Sequence, residues 1–402
     1  MRKEPELNPP AKIEPIQKTI KQARKYELIT PLYGGGVEPN KADPISTVRA
    51  TEIRGQLRFW WRATCGGRFD GNLEKMREQE EKIWGSSAEK NKPGPSLINI
   101  CVIEHNPGNE IKQIQQGKEK VDIWDQNSKW GYVSFPLREE EGKVRQNVRF
   151  TIEISFPEAF QADIETSLWA WEHFGGIGAR TRRGFGALKC VKVDAKTIQK
   201  ITKTQMREEI QEWLSKINGR WLNEIPHISD KTKYGIIERK NSITAWEALI
   251  FSLKKFRQQL KKDHGIEISN ELDRNIVNEI SSMIEDDEQI VDRLPSAQFG
   301  LPIIYKLDED SKKGEPSQIT LKGKHHDRLA SRLILRPIDC VDGGLGLALV
   351  LEGPMFPPGG LILDKGKKDE NVDGGLGGTE ANAIPPLKSK TDVLQAFLNY
   401  LK

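Results

Sequence analysis

Two short stretches concentrate the side chains able to hold an anion. The first is Ile53-Arg54-Gly55-Gln56-Leu57-Arg58-Phe59-Trp60-Trp61-Arg62. On an α-helix, Arg54, Arg58 and Arg62 stand four apart and form one cationic stripe, which Arg49 extends by a turn. Ile53, Leu57 and one of the two tryptophans, Trp60 or Trp61, take the buried side, leaving the other free to stack on a ligand or on a neighbouring protein. No acidic residue stands three or four positions from Arg58 or Arg62 inside this helix. Guanidiniums without local carboxylates suit a phosphate backbone, and the same spacing also describes an ordinary solvated face.

The second stretch is Gly175-Gly176-Ile177-Gly178-Ala179-Arg180-Thr181-Arg182-Arg183-Gly184-Phe185-Gly186, with five glycines and three arginines in twelve residues. Glycines such as Gly176 and Gly178 let a backbone approach a ligand and present N–H groups to phosphate. Arg180, Arg182 and Arg183 add charge, and Phe185 is placed to stack on a base. The alternative is a flexible turn. Thr181 stands where GxGxxG needs its third glycine, and no Lys-Ser or Lys-Thr completes a P-loop, so neither nucleotide motif applies.

Other chemistry is thinly supported. His325-His326-Asp327 lacks the further histidines and carboxylates a phosphohydrolase metal centre needs; His105, His173, His227 and His264 are scattered without ligand spacing. The acidic run Glu285-Asp286-Asp287-Glu288 fits a solvated helix end. Cys65, Cys101, Cys190 and Cys340 form no CxxC pair, so neither a zinc site nor a disulfide framework is indicated, and a reducing cytoplasm is expected. No apolar run suggests a signal peptide or a membrane span.

The elements that must position these residues follow from the patterning of the 402-residue chain, 36% hydrophobic and 30% charged, with a net charge of +4. Such a chain folds, and its mild basicity alone says nothing of nucleic acid. After a loose arm (1–25), Tyr26, Leu28, Thr30 and Leu32 alternate as a strand that Gly34-Gly35-Gly36 ends. A helix over 51–64 and a short strand over 97–103 follow. Val148, Phe150, Ile152, Ile154 and Phe156 alternate strictly and predict a hairpin with Val133, Phe135 and Leu137. A helix carrying Ile164, Leu168 and Trp171 ends at Gly175-Gly176, before a strand over 187–193. This order suits a βαββαβ ferredoxin-like domain with insertions. The second half fits the same scheme without a sequence repeat: a helix over 243–260, strands over 298–305, 333–338 and 345–351, a closing helix over 393–401, and loops over 229–241, 308–317 and 364–379. The expected fold is α+β, two ferredoxin-like (RRM-like) domains at 26–195 and 200–402.

A loop of the form G-x-G-x-R-x-R-R-G-x-G before a final strand resembles the signature of RAMP-superfamily CRISPR proteins. The block Ile53-Arg54-Gly55, then Leu57 to Ala63, is similar to I-[KR]-G-x-[LM]-R-[FW]-W-[FW]-R-A of the superfamily member that caps the guide 3′ end in the type III-B (Cmr) effector complex. Ile83-Trp84-Gly85-Ser86-Ser87, Phe299-Gly300-Leu301-Pro302 and Arg328-Leu329-Ala330-Ser331 fall in the order that resemblance implies. It implies a non-catalytic subunit binding guide and target RNA near the guide 3′ end, with other Cmr subunits as partners, and no cofactor, metal, membrane or small-molecule substrate. The expected RNA contacts are Arg49, Arg54, Arg58, Trp60, Arg62, Gly176, Gly178, Arg180, Arg182, Arg183 and Phe185. Two alternatives stand beside it. Related subunits cut RNA with an aspartate after the first strand, where Asp43 lies here, in a proline-containing loop that equally suits a turn residue. A protein–protein adaptor could use Trp130, Trp169, Trp213, Trp221 and Trp246, though core is the commoner fate of tryptophan.

Overall fold

The strict alternation over 148–156 builds the centre of the first half. In the computed structural model of the protein, residues 18–36, 38, 41–43, 45–86, 94–138, 142–259, 294–306, 318–364, 366, 369–383 and 385–401 are described. The first half contains β1 (Thr19–Leu28), β2 (Leu32–Tyr33), α1 (Ala50–Cys65), α2 (Leu73–Trp84), β3 (Asn99–Asn106), β4 (Asn109–Ile111), β5 (Gln113–Gln116), β6 (Glu119–Asp122), α3 (Gly131–Ser134), β7 (Val144–Gln146), β8 (Arg149–Pro157), α4 (Gln161–Phe174), β9 (Leu188–Val193) and β10 (Lys196–Thr197). The main sheet runs β10–β9–β1–β8–β3, antiparallel throughout. Phe150, Ile152, Ile154 and Phe156 are fully buried beneath α1 and α4, with Tyr26 of β1 stacked on Phe150. Each such side chain contributes about 1.5–3 kcal/mol of burial.

Two expectations fail here. β1 starts at Thr19, so 19–25 is not a loose arm: the chain pairs from Thr19↔Pro157 onward, while 1–17 lies outside the described residues. Nor do Val133, Phe135 and Leu137 form a hairpin with β8. They lie in α3 and a following 3-10 turn, because Val133 and Leu137, four apart, are buried together while Phe135 is exposed and Pro136 offers no N–H to a ladder. The partners of β8 are β1 and β3.

The second half contains α5 (Lys203–Lys216), β11 (Lys233–Arg239), α6 (Ser242–Gln259), β12 (Ile303–Lys306), β13 (Gln318–Gly323), β14 (Leu333–Cys340), β15 (Gly343–Val350), β16 (Leu361–Asp364), β17 (Asp369–Val372), α7 (Gly378–Ala383) and α8 (Val393–Tyr400). The segment 229–241, expected as loop, supplies β11, which pairs with β15 in a sheet ordered β11–β15–β14. Part of 364–379 likewise forms β17, and 298–305 is a 3-10 turn followed by β12. Strands β12–β13–β16–β17 make a separate sheet over its own small core, with β12 and β13 lying between α6 and β14 in the chain and β16 and β17 following β15. The loop 308–317 and the acidic run 285–288 lie outside the described residues.

The β11–β15–β14 sheet is covered on both faces. Leu333, Leu335, Ala348 and Val350 pack under α6 and α8. Ile334, Ile338, Leu345, Leu347 and Leu349 join the core of the first half, so the two halves share one apolar interior. In that second row stands Arg336, 1% exposed. Its guanidinium donates to the carbonyls of Glu172 and Gly175 at the end of α4 and of Leu188 at the start of β9, each at 2.5 Å. Burial pulls its pKa down and the Glu172 carboxylate opposes that. Replacing Arg336 by Ala should cost about 3–5 kcal/mol, because three buried carbonyls lose a charged donor. A urea melt checks this, with Arg336→Lys expected to fall between wild type and Ala.

Candidate nucleic-acid interface

Helix α1 forms because Ile53, Leu57, Trp60, Trp61 and Thr64 recur on one side and bury against the sheet. Both tryptophans are core residues: Trp61 is fully buried, its indole N–H bonded to Asp163 at 2.9 Å, and Trp60 is 2% exposed. Trp60 is therefore not a surface stacking platform, and the expectation that one of the pair is free fails. An amphipathic helix with two adjacent indoles turns both inward when a second helix, here α4, covers its flank.

The arginine stripe is real but not bare. Arg58 and Arg62 both bond Oε1 of Glu80, which projects from α2 and is itself buried. One carboxylate serves two guanidiniums, leaving that trio with a net positive charge. Within α1 the sequence shows no neutralising residue; the neutraliser comes from the next helix. Arg54 donates to the Ile98 carbonyl at 3.5 Å and Arg49 to that of Gly35, and each keeps a buried Nε without a partner.

The glycine-rich loop is a structural junction. Ile177 N–H bonds Gly186 O at 3.1 Å, Ala179 N–H bonds Tyr33 O at 2.7 Å, Gly186 N–H bonds Pro31 O at 2.8 Å, and Gly178 N–H bonds the Glu52 carboxylate. Those N–H groups are committed within the protein, so Gly178 does not offer one to phosphate, and buried Gly176 uses its carbonyl to hold Trp171 Nε1 at 3.0 Å. Gly178 has φ +82°, and a Cβ there would sit 2.7 Å from Tyr33 O; at Gly184, φ +85°, it would sit 2.4 Å from Trp246 Nε1. The glycines allow backbone and indole to close on the loop rather than a ligand. Phe185 is fully buried between Tyr33 and Trp246, at 5.2 and 4.9 Å between ring centroids, so it cannot stack on a base.

The loop's charge faces the second half. Arg182 donates to Ser331 O; Arg183 reaches Phe299 O and Leu333 O, both at 3.4 Å, and Ser331 Oγ at 3.5 Å. Arg180, itself in the left-handed region at φ +59°, lies over the rings of Tyr33 and Phe135 at 5.8 and 5.2 Å. Burial pushes Arg183 down to about 10, and like-charged Arg257, Arg180 and Arg182 push the same way. Burial alone takes Arg182 down to about 10. Among the described residues their partners are carbonyls, a hydroxyl and rings. Cations crowded together in this way are the electrostatic condition of an anion site.

The structure also gathers the distant motifs. Leu301 and Leu329 bridge through mutual backbone hydrogen bonds, which places 299–302 and 328–331 side by side against Arg182 and Arg183. Ile83 and Trp84, at the end of the helix that carries Glu80, are buried beside α1. Arg336 and Glu80 were missed from sequence. A lone charge inside the apolar run Leu333 to Ile338 was the available signal for the first; nothing local signals the second.

Asp43 is a turn residue: its Oδ1 accepts from Ile45 N–H at 2.8 Å and Ser46 N–H at 2.7 Å, and these bonds lower its pKa. Among the described residues no group of three His, Cys, Asp or Glu side chains could hold a metal, and no helix is long and apolar enough to cross a membrane. Of the candidate adaptor tryptophans, Trp130, Trp169, Trp221 and Trp246 are buried.

A βαββαβ unit with an arginine- and glycine-rich loop before its last strand defines a class, and residues 25–189 match the RAMP superfamily. That match lies wholly within the first half of the chain. Among curated relatives, the Cmr subunit Cmr1-2 of the CRISPR system of Pyrococcus furiosus is 28% identical over 177 residues, 40% of this chain and 91% of its own. Cmr1-1 of the same organism is 28% identical over 171 residues, 41% of this chain and 47% of its own. The crystal structure of apo Cmr1 from Pyrococcus furiosus superposes with a TM-score of 0.51 at 18% identity, covering 84% of this chain and 90% of that one. A cryo-EM structure of the type III-B Cmr-beta bound to cognate target RNA contains a chain matched at TM-score 0.51 and 13% identity, over 96% of this chain and 100% of that one. These two show shared fold.

Because Arg183 reaches three acceptors across the junction and Arg180 only rings, their stability effects should separate. Arg183→Ala should lower stability by about 2–3 kcal/mol and Arg180→Ala by at most about 1 kcal/mol. Thermal melts of the two single variants check this ordering.

Proposed function

We propose that this chain is a non-catalytic, RNA-binding subunit of a type III-B (Cmr) CRISPR complex, contacting guide or target RNA near the guide 3′ end. The observation that carries the reading is the crowding of Arg180, Arg182 and Arg183, with only dipoles and rings for partners, beside the Arg54–Arg58–Arg62 flank. Its partners are RNA and the other subunits of the complex, in keeping with the Cmr names of its relatives. With so many loop N–H groups used internally, phosphate is held by side chains: Arg180, Arg182, Arg49, Arg54, Arg58 and Arg62. Phe185, Gly176 and Gly178 support the loop instead.

The two halves are, in this reading, two versions of the ferredoxin-like plan. The first has the order βαββαβ; the second runs β11–α6–β14–β15–α8, with no fourth strand on its sheet among the described residues. The junction falls between β10 and α5.

RNA binding is tested by its salt dependence. Affinity of the full chain for single-stranded RNA should fall with a log–log slope of about −0.7 per phosphate neutralised. Arg180→Ala should flatten that slope by about 0.7 without unfolding the protein. Glu80→Gln should steepen it by a similar amount, as Arg58 and Arg62 are released. An unchanged slope in both variants would leave the adaptor reading as the better one. For catalysis, Asp43→Ala should leave the target cutting of a reconstituted complex unchanged, since both hydrogen bonds of its Oδ1 go to its own turn. Loss of cutting at one defined site would revive the nuclease reading.

A further inference from the structure

Gly55 is out of place on ordinary grounds. It stands in the middle of α1, where glycine is the worst helix former apart from proline. The glycines of the loop answer to a clash and a positive φ, as Gly178 and Gly184 do. At Gly55 a Cβ would meet nothing within 4 Å, so no packing inside the protein calls for its absence. What lies beside Gly55 is a cavity of about 250 Å³, walled by Gln56 and Phe59 of α1, by Arg182 of the glycine-rich loop, and by Trp60 and Gly175.

The chemistry of the walls is specific. Arg182 lies over the Phe59 ring, 5.6 Å from its centroid, so the cavity offers an aromatic face next to a guanidinium. Trp60 adds a donor: it is 2% exposed, and its Nε1 is buried with no hydrogen-bond partner. An unpaired buried N–H is costly, and natural proteins keep few of them. The Gln56 side chain brings an amide, and no wall carries a carboxylate. The size suits one planar heterocycle rather than a larger ligand.

We propose that this cavity receives a single unstacked base of the bound RNA, which stacks on Phe59 and Arg182 and presents an acceptor to Trp60 Nε1, while neighbouring phosphates lie on the arginines. The inference rests on the RNA-binding reading and adds a base subsite to it. Trp60 thus contributes from within the wall as a donor, not as a surface platform. Gly55 keeps the mouth open at the expense of helix propensity.

The test uses the full chain and two probes of equal length, an oligouridine and an abasic ribose-phosphate chain, both followed by fluorescence anisotropy. Stacking of one base corresponds to roughly 5- to 150-fold in affinity. Wild type should prefer the oligouridine by a factor in that range. Gly55→Leu, which fills the mouth with a good helix former, should abolish the preference, leaving abasic binding and the salt slope unchanged. Gly55→Ala should fold and bind as wild type. A folded Gly55→Leu protein that keeps the preference, or a wild type that shows none, overturns the base subsite while RNA binding stands. Salt-independent or absent binding of both probes overturns the RNA-binding reading and the subsite with it. Intact RNA discrimination combined with failure of Gly55→Leu to join partner subunits assigns the cavity to a protein side chain and also overturns the proposal.

Discussion

The C-terminal end of α4 is buried between the two halves, and its last carbonyls point into an interior where water cannot reach them. Left unpaired, the carbonyls of Glu172 and Gly175 would each cost the desolvation of a peptide group. Arg336 resolves this from the other side of the interface. Its planar fork reaches both carbonyls and that of Leu188, and its positive charge lies at the negative end of the helix dipole. Lysine, with a compact ammonium, could not span the three. Because Arg336 is fixed in β14, this contact sets the position of that strand against α4. Leu333 and Ser331, which receive Arg183 and Arg182, are three and five residues upstream, and Ile334, two residues away on the same face, closes the cavity beside α1. The geometry of the junction therefore inherits its registration from Arg336.

The open face of the first sheet is a different kind of surface from the junction. RNA-binding sheets of the RRM type stack bases on aromatic side chains. Here the outward row of β1 and β8 carries Lys21, Lys25, Thr151 and Glu153, laced by the Lys21–Glu153 pair, with Lys25 and Glu104 4.0 Å apart. Among the described residues that row holds no aromatic ring. Its charges are mutually compensated, unlike those of the glycine-rich loop. The net positive charge of the Arg58–Arg62–Glu80 trio and of the glycine-rich loop lies on the helix flank and loop on the other side of this sheet.

What the sequence disclosed follows from whether the relevant interaction is local. The alternation of Phe150 to Phe156 marks β8 because the period of two is written in neighbouring residues, and Gly175 ends α4 as expected. Val133 to Leu137 misled because the spacing 133, 135, 137 satisfies a strand pattern while 133 and 137 alone satisfy a helix. β11 was read as loop because Ile236 and Ile237 do not alternate; its pairing with β15 supplies what its own pattern lacks. The arginine motifs were visible as charge, but not their partners. Glu80 sits 22 residues from Arg58, and Ser331 sits 149 residues from Arg182. Burial of Phe185 and Trp60 was hidden for the same reason: the ring that covers Phe185 belongs to Trp246 of the other half.

The arginines of the loop have two possible tasks, and these do not compete. A guanidinium has five N–H donors, and Arg182 spends one on Ser331 O. The remaining donors can meet an anion without releasing the carbonyl. Arg257, Arg180 and Arg182 all act on Arg183 as like charges, which works against the contacts that Arg183 makes across the junction. An anion in this cluster would relieve that repulsion, and any ligand that prefers the closed junction strengthens it by the same free energy with which the junction strengthens binding. The glycine-rich loop is thus neither a simple turn nor a simple phosphate cradle. It is a contact between the two halves whose arginines are held by carbonyl dipoles, a hydroxyl and aromatic rings.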